Sequence, residues 1–383
     1  MKSEREQQER IQRKWQLYII SHHVLKEPAM HPRERFIQAM NRQEPDQVPV
    51  CPWLTSDFFQ GTYNLSAEEW YGSLDHQLKA MLEFYERFPD MQYFPGFRAS
   101  YGSTVEASSL GCKVVWPKDA TPYAEPVIQD LAQDLPRLKV GDPHKDGRMP
   151  QVMDLYAELK VRLEPYGYEV TSGFLHGPID VAAEIRGITD FFMDLYRNPD
   201  SIHTILEIVT ETCIAFANAQ YEAAGKTMLH ILISDDSGSQ LSRAHWEEFA
   251  LPYHKRLFES LPEGVVGAIH NCSRISHLID LYAETGAGMV QFGEDLSVED
   301  AKKKIGDRMS LLGNLSPIGV LSTGTPDEVE AACRRVILVG GEGGGLLLSS
   351  SGSVNRNTPV ENIEAMVRAA EKYGRYPLLE GSA

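Results

Sequence analysis

The stretch Gly264-Val-Val-Gly-Ala-Ile-His-Asn-Cys272 sets how the rest of the chain is read. Val265, Val266 and Ile269 are β-branched residues that fit a pleated, buried strand. The stretch ends in two metal-capable side chains, His270 and Cys272. Residues two apart on a strand face the same way, so the imidazole and the thiol would project side by side. Nitrogen and sulfur donors suit zinc better than calcium or magnesium, which prefer oxygen. Two ligands do not complete a site, so another part of the chain must bring a third.

Working outward, short apolar runs alternate with helical patterns for more than 200 residues. The expected strands are Val48–Cys51, Met91–Phe94, Glu169–Phe174, Met228–Ser234, Val265–Ile269, Met289–Phe292, Ser310–Leu312 and Gly345–Leu348. Eight such units separated by single helices point to an α/β fold, a (β/α)8 TIM barrel built on a parallel sheet. An open doubly wound sheet is the alternative, but no G-x-G-x-x-G follows the first strand. The glycines between Gly340 and Gly345 precede a strand instead of joining a strand to a helix, so they read as a turn. Residues 1–30 read as an N-terminal helical arm and 31–383 as a single barrel domain. The arm is either a frayed tail, the reading favoured here, or a segment that packs on a second copy in a homodimer.

Composition narrows the class. The 383 residues carry a formal net charge of −17, which argues against nucleic acid or an anionic membrane as partner. Five widely spaced cysteines form no disulfide framework and fit a reducing, cytoplasmic setting. No apolar run approaches membrane-spanning length.

A barrel gathers its functional groups at the C-terminal ends of the strands. Those ends deliver His176 and Asp180, then Asp235 and Asp236, then His270 and Cys272, then Gln291 and Glu294, then Asn314, and finally Ser349 to Ser353. Each has a plainer reading beside the functional one. Asp235 or Asp236 can cap a turn, His176 can bond backbone beside Gly177-Pro178, and Asn314 can be a turn residue. Glu294 can favour the N-terminus of the helix after it. His270 and Cys272 can be a satisfied core histidine and a buried thiol. Phe58, Phe59, Tyr93, Phe97 and Tyr101 would suit an aromatic or amphipathic ligand, or serve only as core. Tyr101, Asn314 and Ser351 are the candidate substrate contacts, and His176 and Asp236 the candidate catalytic groups.

From about His31 onward the chain resembles the uroporphyrinogen decarboxylase superfamily. The resemblance rests on Arg33-Glu-Arg-Phe36, Asp46-Gln-Val-Pro-Val50, Gly177-Pro178 and the long run Asp236 to Tyr253. It rests also on Leu312-Gly-Asn-Leu-Ser-Pro317 and Asn357-Thr-Pro-Val-Glu-Asn362. It implies a (β/α)8 barrel with one of two chemistries. The true decarboxylases hold a many-carboxylate porphyrinogen with an arginine-bearing motif after the first strand, where this chain reads Val50 to Phe59 without arginine. The zinc-dependent, corrinoid-linked methyltransferases carry His-x-Cys at a strand end and a second cysteine near the last strand. His270-Asn-Cys272 is similar to the first part, but Ser351-Gly-Ser353 stands where the second cysteine is expected. Glu294 is the first candidate for the replacement ligand, and Asp235 or Asp236 the second. A carboxylate in place of a thiolate makes a harder metal, which favours removing methyl from an oxygen over activating a thiol. The resemblance therefore implies methyl transfer from a small methylated donor, a methoxy compound favoured, to the cob(I)alamin of a separate corrinoid protein. A decarboxylase acting on a smaller acid and a non-catalytic binding barrel are the other readings.

Overall fold

Alternation along the strands sorts their side chains into two layers. Ile231, Ile233, Ile269, Val290, Leu311 and Leu348 are buried in one large apolar cluster, against the surrounding helices. Their neighbours Leu232, Ala268, Met289, Leu312 and Leu347 belong to a second, smaller cluster. A strand of period two sends alternate residues to opposite faces, so the small cluster is the barrel interior and the large one the strand–helix layer. Phe36, Ala39 and Met40 of the helix Pro32–Met40 join the interior cluster and plug one end of it. That helix starts on Pro32, with the His31 ring accepting from Arg33 N at 3.2 Å.

The computed structural model describes residues 30–91, 96–99, 101–117 and 122–378. All but the last residue of the expected arm, 1–30, lies outside them, as do Tyr93 and most of the expected second strand, Met91–Phe94. Lys113–Val115 (β1) and Tyr123–Glu125 (β2) form an antiparallel hairpin. Six parallel strands follow in sheet order: β3 (Ser172–His176), β4 (His230–Ser234), β5 (Val266–Asn271), β6 (Met289–Phe292), β7 (Ser310–Leu315) and β8 (Leu346–Ser350). The first expected strand is reduced to a bridge between Val50 and Leu348. Cys51 N donates to Leu348 O at 2.8 Å, and Leu348 N donates to Pro49 O at 2.9 Å. Pro49 has no N–H of its own, which limits the pairing. This contact brings the start of the chain back beside the last strand, as a barrel requires. Among the described residues no helix is long and apolar enough to cross a membrane.

The apolar spacing predicts single helices over Val181 to Tyr196 and over Ser242 to Ser260, and both are broken. Val181 to Tyr196 is two helices, Pro178–Arg186 and Ile188–Arg197, because Gly187 adopts φ +86° between them. The helix expected from Ser242 contains a π-helical stretch, Trp246–Ala250, before Leu251–Glu259. Pro252 lacks an amide hydrogen, and the wider turn absorbs the lost bond.

Helix Pro178–Arg186 carries Asp180 toward the strand ends and is anchored at its other end. Arg186 Nε donates to Asp194 Oδ2 at 2.8 Å, and Arg186 Nη1 to the carbonyls of Ile128 and Gln129 at 2.9 and 3.1 Å. Arg186 and Asp194 are both buried. Replacing Asp194 by Ala strands a desolvated guanidinium and is expected to cost about 3–5 kcal/mol. Urea denaturation measures this, and a loss below 1 kcal/mol would contradict the anchoring role.

Candidate metal centre

β5 continues past the expected Ile269 because its backbone keeps its partners. His270 pairs in register with Ser234 of β4 and with Gln291 of β6, and Asp235 N donates to His270 O at 2.9 Å. Asn271 faces outward and is buried. Its Nδ2 donates to Asp235 O at 2.6 Å, and the Tyr282 hydroxyl lies 3.0 Å away. The tip is thus held on both sides, with His270 and Cys272 toward the barrel mouth.

Asp236 joins them from the end of β4. The ligand-capable atoms of Asp236, His270 and Cys272 all lie within 4.8 Å of one another. His270 Nε2 is 3.5 Å from Asp236 Oδ2, and Cys272 Sγ is 3.6 Å from Asp236 Oδ1. Cys272 N donates to Asp236 Oδ1 at 3.2 Å, and Ser234 Oγ to Asp236 Oδ2 at 3.0 Å. Asp180 fixes the turn from below, accepting from Asp236 N at 3.2 Å and Ser237 N at 2.7 Å. His270 Nδ1 meets Gln291 Oε1 at 2.6 Å, which leaves Nε2 as the nitrogen facing Asp236. Trp53 packs edge-on against the same imidazole, with ring centroids 3.9 Å apart.

These atoms form a donor set of one nitrogen, one sulfur and one oxygen. Separations of 3.5 and 3.6 Å suit ligands that share one zinc ion at bond lengths of about 2.0–2.3 Å. Burial and the Asp236 carboxylate push the Cys272 thiol up to about 12, so the proton stays unless a cation displaces it. Burial lowers His270, against the pull of Asp236, which keeps the ring neutral and able to bind a metal.

The other expected residues fall elsewhere. Glu294 is exposed on the loop after β6, and the Ser351 hydroxyl donates to its Oε1 at 3.5 Å. Glu294 is not part of the three-residue group. Backbone packing carries it past: a Cβ on Gly293 would stand 2.6 Å from Cys272 O, so the loop crosses the tip of β5 closely. Asn314 turns to Leu296 O at 2.8 Å, holding that loop, and lines a separate cavity of about 340 Å³ with Glu294. Asp235 points away from the mouth, fully buried, with its Oδ1 3.4 Å from His254 Nε2. Position 352 faces the site directly. A Cβ there would lie 3.3 Å from the Cys272 Cβ and 4.0 Å from its Sγ.

His176 lies beside this group in a cavity of about 230 Å³ whose walls include Glu106, Tyr101, Phe174, Arg98 and Ser353. Glu106 was not singled out from the sequence, yet it holds His176 twice. Its Oε1 accepts from His176 N at 2.9 Å, and its Oε2 lies 3.4 Å from His176 Nδ1. Burial would lower the imidazole, but the Glu106 bond and charge outweigh it, helped by Asp180 and Glu184, and His176 rises to about 9. Burial raises Asp180 to about 6 and Glu184 to about 7. The mouth therefore pairs a neutral imidazole in the metal group with a protonated one in the cavity.

Similar proteins span two activities. The methylcobamide:CoM methyltransferase MtbA of Methanosarcina acetivorans is 27% identical over 350 residues, covering 89% of this chain and 98% of its own. The uroporphyrinogen decarboxylase of Methylobacillus flagellatus is 27% identical over 346 residues, covering 87% and 95%. A solved structure described as a methyltransferase from Methanosarcina mazei superposes with a TM-score of 0.77 at 24% identity, covering 90% of this chain and 99% of that one. The likeness to that structure establishes the barrel fold, while the equal identities to both enzymes do not separate the two chemistries. The pattern of the family described as uroporphyrinogen decarboxylase (URO-D) matches residues 31–373, and the chain belongs to that family.

Proposed function

We propose that this protein is a zinc-dependent methyltransferase that passes methyl from a small methylated donor, favourably a methoxy compound, to the cob(I)alamin of a partner corrinoid protein. It thus acts as the demethylating component of a cytoplasmic pair. The observation that carries this reading is the convergence of Asp236, His270 and Cys272 on one point at the barrel mouth. A porphyrinogen decarboxylase has no use for such a donor set, and the loop from Val50 to Phe59 presents Trp53 to His270 where an arginine motif would be needed. The relatives named as methylcobamide:CoM methyltransferases support the general kind of reaction.

Asp236, His270 and Cys272 would hold the zinc, which supplies Lewis acidity to the donor's heteroatom. Methyl transfer leaves that heteroatom with the bonding pair and in need of a proton. His176 can hold this proton at Nε2 while Glu106 accepts at Nδ1. Phe174, edge-on to the His176 ring at 5.1 Å, adds an apolar wall that limits water there.

Metal analysis of the purified protein beside Cys272→Ala tests the reading. Wild type is expected to carry one zinc per chain and Cys272→Ala well under half. A metal-free wild type, or a variant with full zinc, would reject the mechanism.

A further inference from the structure

Outside the metal group the least explained side chain is Arg148. It lines a cavity of about 530 Å³ together with Tyr71, Tyr101, Trp116, Pro122 and Glu68. Its guanidinium carbon lies 4.2 Å from the centre of the Tyr101 ring and 4.4 Å from that of Trp116. Two cation–π contacts on one guanidinium hold it in place against both rings. Among the described residues none of its N–H donors has an acceptor. Arg35, Arg186, Arg243 and Arg256 each have a carboxylate at 2.5–2.8 Å, whereas Arg148 has none among the described residues.

The backbone beneath Arg148 is also fixed. Gly147 adopts φ +55°, and a Cβ there would sit 2.4 Å from the Ser108 carbonyl carbon. Arg148 N donates to Ser108 Oγ at 2.9 Å, and the helix Met149–Leu163 begins on it. Tyr71 and Tyr101 line both this outer cavity and the inner one that holds His176 and Ser353. The two chambers therefore share a wall, and Arg98, stacked over Phe174 at 4.5 Å, adds a second positive charge to the inner one.

We propose that Arg148, set against Tyr101 and Trp116, receives the carboxylate of a flat, apolar ligand, so that the methyl donor is an aromatic monocarboxylic acid. The name "donor" rests on the methyl-transfer reading, whereas the carboxylate site does not. A guanidinium with no carboxylate of its own offers its N–H edge, and a carboxylate meets that edge with two parallel bonds. Aromatic walls prefer a planar body over a branched one. One available guanidinium beside Glu68, within an acidic chain, admits a single carboxylate and disfavours a polyanion.

Benzoate and its uncharged isostere benzamide are the probes, titrated calorimetrically into the zinc-loaded full chain. Benzoate is expected to bind at least about 10-fold more tightly than benzamide, and Arg148→Gln to remove that preference, as loss of a charge-assisted pair predicts. In unmodified wild type, phenylglyoxal is expected to label Arg148, and benzoate to protect it, which gives a readout independent of how the variant folds. Equal binding of the two probes, or labelling of Arg148 unaffected by saturating benzoate, overturns the site. Methyl transfer to free cob(I)alamin from 4-methoxybenzoate and from anisole then separates the two claims. Transfer from neither, with benzoate still bound, rejects the methyl-transfer reading and leaves the carboxylate site standing. Equal transfer from both rejects the carboxylate donor alone.

Discussion

Asp236→Ala is expected to release zinc that Glu294→Ala retains. Both residues stand two positions beyond the end of a strand, yet only Asp236 brings its oxygens to 3.5 Å from His270 Nε2 and 3.6 Å from Cys272 Sγ. Losing an outer-shell partner typically weakens a metal site about 10–100-fold, so losing a charged ligand should exceed about 100-fold. Competition with a chromophoric chelator measures this, and Glu294→Ala should stay within about twofold of wild type if it is no ligand. Retention of wild-type affinity by Asp236→Ala would remove Asp236 from the site. Gly352→Cys offers a rescue in the same background. Its Cβ would start 3.3 Å from that of Cys272, slightly tight but on the correct side. The double variant should recover zinc that Asp236→Ala loses, with two thiolates in place of one.

Glu106→Gln is expected to move the alkaline limb of the pH–rate profile downward. In wild type His176 stays protonated up to about 9, because the bond and charge of Glu106 outweigh burial. The amide removes that charge and leaves the burial, with only Asp180 and Glu184 still raising the imidazole, so its value falls from about 9. At pH 8 the variant would have lost the proton that wild type keeps, and its rate should fall by up to about 100-fold, within the range of general acid catalysis. Near pH 6 the two should converge. A uniform loss at every pH would mean that Glu106 only shapes the cavity. The sign for stability agrees. The folded value lies above the unfolded one, so this stabilisation is complete below pH 6.5 and fades as pH rises through about 9.

Barrel topology was legible because the period of two and the order of strands and helices are local signals. β6 matched the expected Met289–Phe292, and the closing helix spans Val360–Tyr373, as the apolar spacing of that stretch predicts. β5 ran past its expected end at Ile269 because partners on β4 and β6 keep it extended, and no window of one strand contains them. The same limit hid Glu106. It lies 70 residues from His176 in a short helix, and only the folded chain brings the two together. Arg148 lies in Pro117 to Pro150, where several prolines and aspartates read as a surface connection and give no hint of a guanidinium set against two rings. Gln291 was visible as a polar strand end, and its register opposite His270 was the clue to its task. The choice between Asp236 and Glu294 depended on how a loop crosses the β5 tip, a matter of backbone contact at Gly293 that residue types do not encode.

The amide of Gln291 also settles a question of molecular orientation. Its Nε2 donates to the carbonyl of Ser350 at 2.9 Å. A carbonyl can only accept, so it dictates which end of the amide turns toward His270, and the end that remains is an acceptor. That acceptor retains the imidazole proton at Nδ1 and bares Nε2. A backbone oxygen at the end of β8 therefore selects, across two strands, which nitrogen of His270 is offered to a metal. The loop from Ser351 to Ser353 begins at that same oxygen, so any ligand that shifts this loop also acts on the tautomer of the metal-facing histidine.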